Sequence, residues 1–252
     1  MPYRLLCVTA HPDDESGAFG GALLMAHRDG VETSILCLTD GQAAHFRGEA
    51  SSAAELGKLR RAEFVAACEV LKVTQHEILH FPDGELLRQD FYALTGAIVE
   101  YIRKWRPQVV LTFGGDGGVN LHRDHTMVSL ATTAAFHWAR RAEFFPEQIE
   151  QGLAAYGPQK LYYSSTPFIA VRNRPELANS PVVPYSLTLE PGPLAEKKFE
   201  AFEKHSTQLG VLERVRNIAE EHLYIEHYLL AAARGIISAS ADDALFANVQ
   251  AD

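Results

Sequence analysis

The chain has 252 residues, 47% of them hydrophobic and 22% charged, with a formal net charge of -9. This composition argues against long disorder, and the length suits one large core or one domain with a modest C-terminal extension. The acidic balance, with no dense basic stripe, argues against a nucleic-acid partner and leaves a small molecule as the expected substrate.

Leu5 to Thr9 reads as a first buried strand, followed by Ala10-His11-Pro12-Asp13-Asp14-Glu15 and then by a helical segment that ends near Gly30. Thr33 to Thr39 is a near-continuous apolar run, as in a parallel strand covered on both faces, and it closes on Asp40-Gly41. Gln42 to Ala54 lacks a period and reads as a loop beside the strand ends, where His45 is placed for a substrate contact. Leu56, Leu59, Phe64, Val65, Cys68 and Leu71 mark a helix over 55–73, and Glu77 to Phe81 a third strand ending at Pro82-Asp83-Gly84.

Phe91 to Trp105 is a further amphipathic helix, and Val109 to Phe113 the most strand-like stretch of the chain. Gly114 to Gly118 is a glycine-rich loop leading to His122-Arg123-Asp124-His125 and a helix over 126–140. Further on, Lys160 to Ser165 and Val182 to Leu189 read as strands, Pro193 to Leu209 and Val211 to Ala233 as helices, and the last 15 or so residues as a loose terminus. The alternation predicts an α/β fold: a Rossmann-like, doubly wound, mainly parallel sheet with helices on both faces and a C-terminal strand and helix extension. The expected division is a single domain over 1–252, with a core at about 3–145 and the extension at about 158–235.

Cys7, Cys37 and Cys68 all lie in apolar segments and read as core residues of a reducing compartment. No apolar run approaches the ~20 residues of a membrane span, and Met1 to Arg4 shows no secretory leader, so the expectation is a cytoplasmic protein without a membrane span.

Ligands bind outside the carboxyl ends of the strands in such sheets, which is where the first acidic segment falls. His11 and Asp14 are a nitrogen and an oxygen ligand suited to zinc or a similar ion, and Asp13 between them is a carboxylate free to act as a base. Read alone, Asp13, Asp14 and Glu15 equally suit a helix cap. The two histidines of His122-x-Asp124-His125 are three apart at a helix start, so both can face one side. Together, His11, Asp14 and His125 make a three-ligand set with an open position, leaving Asp13, His122 and Asp124 as base, imidazole and orienting carboxylate.

With both segments in this order, the chain resembles the PIG-L/LmbE-like zinc-dependent de-N-acetylases, whose signatures are AHPDDE after the first strand and HxDH after a later one. Leu38-Thr39-Asp40-Gly41, Arg60-Arg61-Ala62-Glu63, Pro82-Asp83-Gly84 and Lys198 through His205-Ser206-Thr207-Gln208 extend the similarity over roughly the first 210 residues. Arg123 stands where the family usually has Pro, and Gly114 to Val119 replaces a commoner Pro-containing loop.

The resemblance implies that His11, Asp14 and His125 bind Zn2+, that Asp13 is the general base, and that His122 stabilises the oxyanion, oriented and charged by Asp124. It also implies substrate contacts from Arg60, Asp83 and His205, removal of acetyl from an N-acetylglucosaminyl conjugate, and homo-oligomers in some members. Other divalent metals suit the same ligands. The alternatives are an amidase of a sugar-thiol conjugate or another small N-acyl amide and, remotely, a Mg2+-binding phospho-acceptor module, against which both imidazoles argue.

Overall fold

The computed structural model describes residues 2–165, 184–235 and 244–251. Its centre is β1 (Arg4–Thr9), buried from Leu5 onward and paired in parallel with β2 (Glu32–Thr39) on one side and β4 (Val109–Phe113) on the other. β3 (Gln75–Phe81) extends the sheet beyond β2, and β5 (Lys160–Ser164) extends it beyond β4, all in parallel. The order is β3-β2-β1-β4-β5-β7-β6, with β6 (Leu187–Leu189) and β7 (Glu226–Ala233) at the far edge, so the chain winds one way from β1 and the other way from β4. That reversal is the topological switch point, and the crevice beyond the ends of β1 and β4 is where such sheets hold ligands.

Helices cover the strands as the apolar spacing requires: α1 (Asp14–Arg28), α2 (Ala53–Val70), α3 (Phe91–Trp105) and α4 (Arg123–Trp138), with a short α5 (Pro146–Glu150). Ser52 caps α2, its hydroxyl accepting the Glu55 amide, and Asp90 caps α3 through the Ala93 amide, which fixes where both helices begin.

The C-terminal part departs from the sequence pattern in several places. The helix expected over 211–233 is two elements, α7 (Leu209–Leu223) and the strand β7 (Glu226–Ala233), which lies antiparallel between β5 and β6. Leu229-Leu230-Ala231-Ala232-Ala233 favours a helix by propensity, but pairing with the free edge of β5 outweighs those few tenths of a kcal/mol per residue. The strand expected over 182–189 is only β6 (Leu187–Leu189), with Val182 and Val183 outside the described residues. The helix expected over 193–209 is α6 (Ala195–Glu203), which stops before His205. Residues 244–251 are not loose: Leu245 and Val249 are buried, and the Tyr3 hydroxyl donates to the Val249 carbonyl at 3.1 Å.

Glu226, at the start of β7, ties this part to the core. Its carboxylate accepts from the Gly21 and Ala22 amides of α1 at 2.7 and 2.9 Å, from Lys198 Nζ of α6 at 2.7 Å and from the Tyr228 hydroxyl at 2.8 Å. Position 21 must be glycine for that approach, since a Cβ there would sit 2.8 Å from a Glu226 oxygen. Among the described residues no helix is long and apolar enough to cross a membrane.

Candidate active site

The first constellation leaves β1 at Ala10 and turns at once. Asp14 Oδ2 accepts from the Ala10 and His11 amides at 3.1 and 2.8 Å, so the carboxylate that opens α1 also closes the turn. The second leaves β4 through Gly117, whose φ of 96° suits glycine, and where a Cβ would meet the Leu121 backbone at 2.7 Å. His122 becomes the N-cap of α4, its Nδ1 accepting the Asp124 amide at 3.2 Å, and His125 sits one turn in. Helix α4 thus begins at Arg123 and not at the expected 126, which carries Asp124 and His125 inside the helix.

The two segments meet across the switch point. Ligand atoms of His11, His122 and His125 lie within 4.8 Å of one another, as do those of His11, Asp83 and Asp124. Asp14 joins from α1, with Oδ1 3.2 Å from His125 Nε2 and Oδ2 3.5 Å from His11 Nδ1. His11 Nε2 faces Asp83 at 3.1 Å and Asp124 at 3.3 Å. Phe113 stacks on the His125 ring at a centroid distance of 3.9 Å, so the strand fixes the ring plane.

The donor chemistry suits a cation. His125 Nδ1 lies 3.0 Å from the Gly117 carbonyl, which can only accept, so Nδ1 holds a proton and Nε2 is the nitrogen left to face Asp14. Nε2 lies 3.2 Å from a carboxylate oxygen, and a nitrogen and an oxygen so close need a proton or a metal ion to share. Among the described residues, the ion pairs of Asp14, Asp83 and Asp124 run to histidines alone. The cluster could therefore hold a metal, and its mixture of imidazole and carboxylate suits a transition ion more than Mg2+.

Each group titrates accordingly. Burial works against a charged His11, but its hydrogen bonds to the Asp124, Asp14 and Asp83 carboxylates outweigh it and lift the ring well above the ordinary range. Burial works against ionised Asp14 too, yet the neighbouring His125 and His11 hold it well below the usual carboxylate range. Asp13 rises to about 6, because burial exceeds the opposing pull of the Arg60 guanidinium. His122 falls to about 4, chiefly through burial and then through the charges of His11 and His125. It is therefore neutral near pH 7.

Asp124 differs from expectation. Its carboxylate accepts from the Gly84 and Leu86 amides at 2.7 and 3.3 Å and faces His11, so it orients that ring and not His122. Its charge does pull His122 upward, but burial and the two neighbouring imidazoles win, and the expected charged His122 does not arise.

The three expected substrate contacts are also redistributed. Arg60, 2% exposed, lies along the cavity but donates to the Asp13 carboxylate at 2.9 Å, to the Pro12 carbonyl and to the Gly41 carbonyl at 2.9 Å, so its first task is to hold Asp13. Asp83 lines the cavity with one oxygen on His11 and the other on the Ala43 amide at 2.8 Å. His205 is fully buried beneath the site on Glu15, at 2.6 Å, and lies outside the cavity lining. Asp40 pairs with Arg61 at 2.8 Å and His80 at 3.1 Å, on the surface side of α2.

The cavity encloses about 600 Å³, with the His–Asp cluster at its base and His45 on its rim as expected. One wall escaped the sequence analysis: Phe46, Phe202, Val211 and Val215, with Arg214 over the Phe46 ring at 5.6 Å. Only the distant 205–208 segment hinted at it. Glu63 of α2 binds the Ser206 hydroxyl and the Thr207 amide and hydroxyl at 2.6 to 2.8 Å, linking two segments that the resemblance had marked separately.

A 1D-myo-inositol 2-acetamido-2-deoxy-alpha-D-glucopyranoside deacetylase of Rhodococcus jostii is 31% identical over 90% of this chain and 91% of its own. A mycothiol S-conjugate amidase of Streptomyces coelicolor is 33% identical over 64% of this chain and 60% of its own. In fold, the N,N'-diacetylchitobiose deacetylase of Pyrococcus horikoshii superposes with a TM-score of 0.71 at 20% identity, covering 89% of this chain and 82% of that one. The family model PIG-L, described as GlcNAc-PI de-N-acetylase, matches residues 6–136, just over half of the chain, and the chain belongs to that family.

Proposed function

We propose that the protein is a zinc-dependent hydrolase that removes the acetyl group from an N-acetylglucosaminyl conjugate, with His11, Asp14 and His125 as metal ligands. The observation that carries this is the His125 ring, whose Nδ1 is committed to the Gly117 carbonyl while Nε2 lies 3.2 Å from an Asp14 oxygen, a pair between which a metal ion can replace a shared proton. A zinc ion there supplies Lewis acidity toward an amide carbonyl and brings a water toward ionisation near neutral pH.

The chain's own groups do the rest. Asp13, with its pKa near 6 and fixed by Arg60, takes a proton from the attacking water and delivers it to the departing amine. His122 uses its Nδ1 to accept the Asp124 amide, so its Nε2 carries the proton and donates to the oxyanion as a neutral imidazole. Asp83 and Asp124 hold the His11 ring between them.

The apolar wall favours a second substrate for the same chemistry, the amide of a sugar-thiol conjugate. Phe46, Phe202, Val211 and Val215 offer an apolar substituent more than a polyol can use, and the cavity holds more than one sugar ring. Incubating zinc-loaded protein with N-acetylglucosaminyl-inositol and with thioether conjugates bearing alkyl or aryl groups, and following amine release by mass spectrometry, tests both. Release from the first supports deacetylation, preference for the second supports the amidase, and release from neither, with zinc bound, overturns the proposal.

A further inference from the structure

Asp13 has φ 119° and ψ -26°, a left-handed conformation that a residue with a side chain adopts only under constraint, at about 1–3 kcal/mol. The constraint comes from Glu15. Its Oε2 accepts the Asp13 amide at 2.9 Å, while Oε1 accepts from the Ser16 hydroxyl and from His205 Nε2, both at 2.6 Å. Glu15 and His205 are both completely buried. A glutamate in the first turn of a helix ordinarily faces solvent and favours the helix dipole from there. Here it is turned inward toward a residue 190 positions away.

The His205 end is equally fixed. Its amide bonds the Phe202 carbonyl at 3.0 Å, and the next two residues are held by Glu63. The Asp13 carboxylate is meanwhile gripped by Arg60 from α2. The general base is thus held at two points, the side chain by Arg60 and the backbone by a carboxylate that a second element steadies.

We propose that Glu15 and His205 form a positioning pair for Asp13, holding its backbone in the strained conformation that aims its carboxylate into the cavity. This rests on the reading of Asp13 as general base. A purely structural tie between α1 and the 205–208 turn is the rival explanation. Glu226 already joins α1 to α6, so the fold has another such tie.

The test is a double-mutant cycle on the zinc-loaded enzyme, with Glu15→Gln and His205→Gln made separately so that one misfolding variant leaves the other informative. The expected result is a 10–100-fold fall in kcat with KM within about threefold, metal content unchanged, and no further loss when either change is added to Asp13→Ala. Wild-type kcat in either folded variant, or a full extra loss in the Asp13→Ala background, overturns the positioning role. Full activity in Asp13→Ala alone would instead remove the base assignment, so the two failures are distinguishable.

Discussion

Around Glu226, each acidic oxygen has its donors: two helix amides, a lysine and a tyrosine hydroxyl, all within 2.9 Å. Around Asp14, two helical turns earlier on α1, Asp83 and Asp124 crowd onto His11 while Asp14 lies between His11 and His125, and among the described residues the ion pairs of these three carboxylates run to histidines alone. Both clusters are buried, and both join the N-terminal half of the sheet to something later in the chain. The first acts as a fastener. The second gathers three carboxylates and two imidazoles that could hold a metal, and a fold carries the cost of such crowding where it has a use for it.

The strongest way to break this contrast is to remove a ligand. In His125→Ala the cluster loses the ring that faces Asp14 through Nε2, and the expected outcome is loss of bound metal with turnover down at least ~10⁴-fold. Metal analysis of the purified variant beside an amine-release assay checks it, and a variant that still carries a full equivalent of metal would show that the carboxylates suffice. Asp13→Asn separates chemistry from binding. Arg60 keeps a partner and the metal stays, while turnover falls ~10²–10⁴-fold for want of a base.

The two clusters were not equally legible in the sequence. His11 and Asp14 could be read because they follow the end of β1 directly, and His125 because its His-x-Asp-His segment opens the helix after β4, and strand ends of a parallel sheet are forced to one rim. What local pattern could not supply was the direction of side chains within that rim. Asp124 turns to His11 instead of His122 because the Gly84 and Leu86 amides capture its oxygens from another loop. Glu15 read as part of a helix cap and His205 as a substrate contact implied by the resemblance, since nothing in a single segment reveals that they are buried against each other. Glu226 was lost altogether, because Val211 to Ala233 has a helical composition throughout and only the edge of β5 makes its second half a strand. Tertiary pairing decided there, and composition had no vote.

Glu226→Ala probes the fastener. It strands the Lys198 ammonium in a buried site and unsatisfies two helix amides, so the expected loss is about 3–5 kcal/mol of stability, read by urea denaturation. Metal content per folded molecule should hold, because no ligand touches this cluster. A drop in metal content at unchanged stability would mean that the two clusters are one.

The smallest effect sharpens the contrast most. Asp83→Asn removes one negative charge from the crowded cluster while its side-chain oxygen can still accept the Ala43 amide, and His11 Nε2 keeps Asp124 as its carboxylate partner. Burial works against ionised Asp83, but the hydrogen bond to His11 and the charges of His11 and Arg60 hold it below the usual carboxylate range, so in the metal-free protein its loss should cost ~0.5–2 kcal/mol near neutral pH. With metal present the cation also loses a compensating charge, and the rise in melting temperature on metal loading should shrink. Thermal scans with and without chelator read both effects from one pair of samples. If Asp83→Asn leaves the rise on metal loading unchanged, no cation sits beside Asp83 and the argument for a metal at this switch point fails.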